Sequence, residues 1–148
     1  MATELPNDFK EFLKLLKEHD VHYMLVGGFA VFYYGHIRAT ADIDFWIRPD
    51  LENGKKVIKL LGEFGFPTEQ LRPESFLDSN LLVRMGVAPI RIELFTALSG
   101  IEFESSFARS RLIQLDEVEV RIIGLEDLKL NKKASGRLKD LDDLEHLP

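Results

Sequence analysis

The chain contains no cysteine. That excludes disulfides, thiolate nucleophiles and cysteine-ligated zinc or iron–sulfur centres, and it is compatible with a reducing compartment. Basic excess is missing too: 19 Lys and Arg stand against 25 Asp and Glu, for a net charge of −6. The bulk field therefore repels a nucleic-acid backbone rather than attracting it. No apolar run approaches the roughly 18–20 residues a membrane-spanning helix needs. The opening stretch, MATELPNDFKEFLKLLKEHD, has none of the apolar core of a signal peptide. A cytoplasmic protein with no membrane partner is the expectation. Internal repeats and low-complexity segments are absent as well. What is abundant is apolar surface, 45% of 148 residues. That suffices for one domain over 1–148 with a proper core.

Hydrophobic periodicity divides the chain into alternating elements. Asn7 or Asp8 can cap a first helix in which Phe9, Phe12, Leu13 and Leu16 recur at helical spacing. Residues 21–26 read as a short buried strand, broken by Gly27-Gly28. Residues 29–34 fit two helical turns that stop at Gly35, and 36–41 form a polar connection. Residues 42–48 alternate as a strand ended by Pro49. Asp50 caps a helix that runs to Phe64 and closes at Gly65. Residues 67–79 read as loop. Two strands, 81–85 and 90–95, turn through 86–89; a short helix covers 100–109; a hairpin over 111–115 and 118–123 turns at Asp116-Glu117. Residues 125–147 are helical, with a break near Gly136. A mixed β-sheet with helices packed on it, of the α/β (α+β) class, accommodates that order.

The stretch LVGGFAVFYYGHIRATADIDFWIRP concentrates the chemistry. Asp42 and Asp44 are two apart on a strand, so both side chains leave the same face, about 7 Å apart along the backbone. Adjacent carboxylates repel and raise each other's pKa, a cost that a divalent cation removes. Carboxylate oxygens suit Mg²⁺ or Mn²⁺. A wet face on an edge strand is the bland alternative. Gly27-Gly28 lies between a strand and a helix, where bare backbone N–H groups and a helix start can hold phosphate; a tight turn explains the pair equally well. Glu93, on a later strand of the same alternation, is a third acid. Three carboxylates on neighbouring strands could bind two cations, one gripping a triphosphate and one activating a hydroxyl.

Other candidates have plainer readings. Lys132, Lys133, Arg137 and Lys139 are followed at once by Asp140, Asp142 and Asp143, as on a solvated helix face. The four histidines show no metal-ligand spacing, and His36 alone is placed to line the site. Tyr33, Tyr34 and Trp46 could stack a base, although core or rim packing accounts for them. Ser99, Ser105 and Ser106 have no base nearby in sequence, which leaves a serine hydrolase unsupported.

GGFAVFYYGHIRATADIDFWI resembles the nucleotidyltransferase fold of the polymerase-beta superfamily, nearest the small bacterial group related to AbiEii-type toxins and MNT-like proteins. RIELF is a weaker middle match. LEDLKLNKKASGRLKDLDDLEHL resembles the group's closing helices over 125–148, with a Lys-x4-Arg-x2-Asp pattern at Lys132, Arg137 and Asp140. The resemblance implies a metal-dependent enzyme, using Mg²⁺ or Mn²⁺, that moves NMP from an NTP to a hydroxyl of RNA, protein or a small molecule, as a possible toxin–antitoxin component. It implies that Asp42, Asp44 and Glu93 bind metal and catalyse. Gly27, Gly28, Arg38, Thr40, Lys132 and Arg137 would contact nucleotide. The pattern departs at the third acid, more often Asp in the family and here Glu93, one methylene longer. So small a chain leaves little for an acceptor domain, which points to a cognate partner protein or a homo-oligomer. The competing function is a binding module of the same fold with little or no catalysis.

Overall fold

A computed structural model describes residues 5–36, 42–87 and 90–148. In chain order the elements are α1 (Asn7–Glu18), β1 (Tyr23–Val26), α2 (Gly27–Tyr33), β2 (Asp42–Ile47) and α3 (Leu51–Phe64), then a 3₁₀ turn (Pro73–Leu77), β3 (Leu82–Val87) and β4 (Ile90–Phe95). α4 (Phe103–Ala108), β5 (Arg111–Leu115), β6 (Val118–Ile122), α5 (Leu125–Ser135) and α6 (Leu138–His146) complete them. Apart from end shifts of one to three residues, and an α1 whose N-cap is Pro6 with no side-chain cap where Asn7 or Asp8 was expected, three features differ from the sequence expectation. The glycine pair is the first turn of α2 rather than a link before it. The loop over 67–79 contains the 3₁₀ turn, anchored by the buried ring of Phe76. β3 runs on through Gly86 and Val87, which pair with Arg91 and Ile90.

The six strands form one mixed sheet in the order β3-β4-β2-β1-β6-β5. β2 lies parallel to β4 and antiparallel to β1, while β1 is parallel to β6. Both edges are hairpin strands, β3 on β4 and β5 on β6. β4 can lie parallel to β2 because α3 and β3 come between them in the chain, while β6 meets β1 only after the other four strands have been laid down.

One face is dry. Phe9, Phe12, Leu13 and Leu16 of α1 are buried, and the Phe12 ring meets Phe64 of α3 edge-on at 5.2 Å and Phe45 of β2 at 5.4 Å. Truncating such a ring to Ala removes about 3–5 kcal/mol. Asp50 caps α3 by accepting from the Asn53 N–H at 2.7 Å. The Asn53 side chain accepts from His22 N–H and donates to the His22 and Arg48 carbonyls. That buried amide ties α3 to the chain just before β1 and just after β2.

The strand alternation sends Asp42, Asp44 and Trp46 to the opposite face. Trp46 does not stay open: its ring packs edge-on against Phe103 of α4 at 5.2 Å. The α5–α6 pair stands over the other end of the same face. α5 ends where Gly136 adopts φ +66, and Arg137 starts the next helix. Between α4 and the α5–α6 pair the sheet is left uncovered, and there the acids sit.

Candidate active site

The register of three strands builds the acidic floor. On β2 and β4, Asp44 lies directly beside Glu93 and Asp42 beside Arg91. On β3 and β4, Arg84 lies directly beside Glu93. On β1 and β2, Val26 lies beside Asp44, so the next residue, Gly27, reaches the level of that carboxylate. Gly27 has φ +68, and a Cβ there would stand 2.2 Å from Asp44 Oδ2. Only glycine fits, for backbone and for space.

The structure thus brings together seven of the site residues singled out from sequence. Asp42, Asp44, Glu93, Gly27, Gly28 and Lys132 border one cleft of ≈510 Å³, with Arg137 on its far wall. Arg38 and Thr40 lie outside the described residues.

The acids are not equivalent. Asp42 Oδ1 accepts from Arg91 Nε at 2.8 Å, and Glu93 Oε2 accepts from Arg84 Nε at 2.7 Å. Asp44 has no such cation at hand, and its Oδ1 is buried without a hydrogen-bond partner. Burial first, then the charges of Glu93 and Asp42 and a hydrogen bond with Glu93, push its carboxyl up to about 7, with Lys132 pulling weakly the other way. Asp44 is thus the carboxyl whose ionised form burial and its acidic neighbours disfavour, in a floor whose other two acids are paired with arginines.

Over this floor stands a buried ion cluster. Lys132 Nζ reaches Asp140 Oδ1 at 2.8 Å and Asp143 Oδ2 at 3.1 Å, with only 6%, 2% and 0% of the three side chains exposed. Arg137 Nε donates to Asp140 Oδ2 at 2.8 Å, and the Ser135 hydroxyl donates to the same oxygen. Burial raises the Asp140 carboxyl, but its bonds to Lys132, Ser135 and Arg137 outweigh that and hold it at about 2. The solvated-face reading of this segment fails at Lys132, because the acids that follow it in sequence fold back onto it across the Gly136 break.

Two other expectations are corrected. His36 does not line the cleft; it packs on His146 of α6 with the rings stacked at 4.2 Å. The statement that the histidines lack ligand spacing holds in sequence and fails in space, where His36, Asp142 and His146 come together. Of the aromatics, Tyr34 donates its hydroxyl to the Ile123 carbonyl at 2.6 Å and Trp46 is core, so both follow the packing alternative.

Arg84, Arg91 and Asn131 were not singled out in sequence. Arg84 and Arg91 become visible once strand register is known. Asn131 carries a weaker signal, one residue before Lys132, and donates to the Ser99 carbonyl at 3.0 Å on the cleft rim.

The sequence fits the model of the family described as "Nucleotidyltransferase of unknown function (DUF6036)" over residues 4–147. No curated protein matches it in sequence. Among solved structures, a Thermotoga maritima protein reported as a nucleotidyltransferase superposes with a TM-score of 0.64 at 14% identity, covering 93% of this chain and 88% of its own. The lincosamide antibiotic adenylyltransferase LnuA, solved with lincomycin bound, gives 0.57 at 15% identity over 97% and 95%. The antibiotic-resistance factor ANT(2'')-Ia gives 0.58 at 15% identity over 93% and 79%. At such identities the likeness is one of fold.

Proposed function

As the chain belongs to this nucleotidyltransferase family, we propose that it moves a nucleoside monophosphate from an NTP to a hydroxyl acceptor, with Asp42, Asp44 and Glu93 as the acids of the reaction. The observation that carries this reading is Asp44, whose buried oxygen has no protein partner and whose carboxyl is pushed up to about 7 by burial and by its two acidic neighbours. Carboxylates crowded at that cost fit a divalent cation, and their hard oxygens favour Mg²⁺ or Mn²⁺. When bound, such an ion supplies charge neutralisation to the triphosphate and to the attacking oxygen.

The chain's own groups do the rest. Gly27 and Gly28 leave room for a phosphate beside Asp44. Arg84 and Arg91, now on Glu93 and Asp42, are cations able to exchange a carboxylate for a phosphate oxygen. Lys132 contributes positive charge from above, and Arg137 offers a second cation on the far wall. Glu93 aligns the acceptor hydroxyl and takes its proton. The hydroxyl oxygen attacks the α-phosphorus, the bond to the bridging oxygen breaks, and pyrophosphate leaves.

The acceptor divides into two classes. The solved neighbour with lincomycin bound acts on an antibiotic, which supports a small hydroxylated molecule. The resemblance to toxin-type proteins supports RNA or protein. A second reading, a nucleotide- or partner-binding module without catalysis, rests on the Arg84–Glu93 and Arg91–Asp42 pairs, which occupy two of the three acids.

The experiment is label transfer from α-³²P-NTPs with Mg²⁺ or Mn²⁺, to total RNA, to lysate protein and to aminoglycoside or lincosamide panels, beside Asp44→Asn. Transfer that vanishes in the variant supports the enzyme. Absence of transfer with retained NTP-dependent thermal stabilisation supports the binding module. If neither metal nor NTP alters the protein, both readings fail.

A further inference from the structure

The acids divide the cleft into two unlike halves. β1, β2, β4 and β3 lie side by side, so Gly27, Asp44, Glu93 and Arg84 follow one another across the sheet over about 14 Å. Two residues further along, the same face carries Trp46, Phe95 and Leu82 in one row. Trp46 is buried under Phe103. Phe95 is half-buried and Leu82 is 46% exposed, and both line the cleft together with Leu98. We infer that this apolar strip of Leu82, Phe95 and Leu98 is the acceptor subsite, and that it selects a small hydroxyl compound with an apolar face and no cluster of positive charges.

The inference rests on the nucleotidyl transfer proposed above. In-line displacement sets the attacking oxygen and the departing pyrophosphate on opposite sides of the α-phosphorus. With the phosphates at Gly27 and Gly28, on the β1 side, the hydroxyl arrives from the side of β4 and β3, where Glu93 stands. The nucleoside is an equatorial substituent of that phosphorus. It leaves the line sideways and does not compete for this end.

The wall then sets the class of acceptor. Contiguous exposed apolar surface beside polar groups holds the apolar face of a ligand. A polycationic acceptor needs carboxylates. Among the described residues, this half of the lining offers only Glu93, which Arg84 already meets at 2.7 Å. Arg84 is itself more than half exposed and repels further positive charge. The end of the strip is bounded where Asn131 Nδ2 donates to the Ser99 carbonyl at 3.0 Å, tying α5 to the segment after β4. A bounded end suits a compact molecule, and a net charge of −6 disfavours RNA.

The test uses the full-length protein with Mg²⁺ and α-³²P-NTPs. The acceptors are a panel of uncharged or singly charged hydroxyl compounds with a ring or alkyl face, lincomycin and chloramphenicol among them, beside kanamycin as a polycation, total RNA and lysate protein. Label should pass to a member of the first panel and to none of the others. For that compound, Leu82→Glu should raise the acceptor KM about tenfold or more, with kcat and the NTP Kd within about twofold of the parent. Leu82→Met should keep the parent KM. Leu82 is exposed on an edge strand, so these variants should fold; should Leu82→Glu not, Leu82→Thr should move KM in the same direction. Transfer to kanamycin, RNA or protein instead, or a KM unmoved by Leu82→Glu, would overturn the inference and leave the reaction standing. No transfer to any acceptor, with Asp44-dependent NTP binding intact, would overturn it in favour of the binding module. Absence of Mg²⁺-dependent NTP binding would remove the reaction and the inference with it.

Discussion

Asp44 and Gly27 are best understood as a pair. The strand places the carboxylate, and the glycine's missing side chain is what lets the β1–α2 turn lie against it. A Gly27→Ala chain must move either Asp44 or the turn and must also hold φ +68 with a Cβ. The left-handed conformation alone costs about 1–2 kcal/mol. We expect urea unfolding to show at least that loss, together with abolished stabilisation by Mg²⁺ and NTP. Gly62→Ala, where a Cβ meets nothing, should be neutral or slightly stabilising. Asp44 also makes the metal-free protein pH-sensitive. Its folded pKa of about 7 lies above the ordinary 3.8, so the native state binds a proton that the unfolded chain has released. Stability is therefore greatest below the ordinary value and declines as pH rises toward and through 7. A shift of that size corresponds to at most about 4 kcal/mol. In chelator, Asp44→Asn should be more stable than the parent at pH 8, with the gap closing toward pH 5. Millimolar Mg²⁺ at pH 8 should raise the parent and not the variant. A gap independent of pH would mean that Asp44 is not held neutral by its neighbours.

At the scale of elements, α5 and α6 are two helices whose joint is an ion cluster. Lys132 points inward because two acids of the next helix meet it, and Gly136 supplies the left-handed turn that lets them. Lys132→Met would leave Asp140 and Asp143 buried opposite no ammonium, a loss of about 3–5 kcal/mol by comparison with other buried pairs broken on one side. Denaturant unfolding measures it, and a loss below about 1 kcal/mol would show that the two carboxylates find other partners. Asp140 gives this joint an acid limit. Its carboxyl is held at about 2 against an ordinary 3.8, so its contribution is fully present above pH 4 and disappears as pH falls toward 2. Much of this level was legible in the sequence. Apolar spacing located α1 and α3, the Asp50 cap and Gly65 bounded α3, and Gly136 marked the α5–α6 break. The misreadings share one cause. Helical periodicity reports which residues face a core, and it counts a lysine or acid as solvated. It does not register that Lys132 and Asp140, eight apart and on different helices, neutralise each other in the interior.

For the whole molecule, the sequence announced the acids but not their company. Asp42, Asp44 and Glu93 stood out because carboxylates on apolar strands are costly. Arg84 and Arg91 did not, because a lone arginine on a strand is unremarkable until β3, β4 and β2 are known to be neighbours in that order. Strand adjacency is a long-range property, and no local pattern encodes it. The same topology makes the cleft a junction between two parts that approach it from opposite sides. The sheet supplies the floor from β2, β3 and β4, and the C-terminal helices supply Asn131, Lys132 and Arg137. A ligand filling it must touch both, so it should suppress opening of both together. Hydrogen exchange with and without Mg²⁺ and NTP is the measurement. Slower exchange is expected in β2, β4, α5 and α6 at once, by a common factor set by ligand occupancy. α3, on the dry face behind Phe12 and Phe45, should change little beyond any global stabilisation. Protection confined to the sheet would mean that the nucleotide binds to the acids alone and that Lys132 and Arg137 serve the helix joint. Protection confined to α5 and α6 would detach the ligand from Asp42, Asp44 and Glu93, and with them from the proposed chemistry.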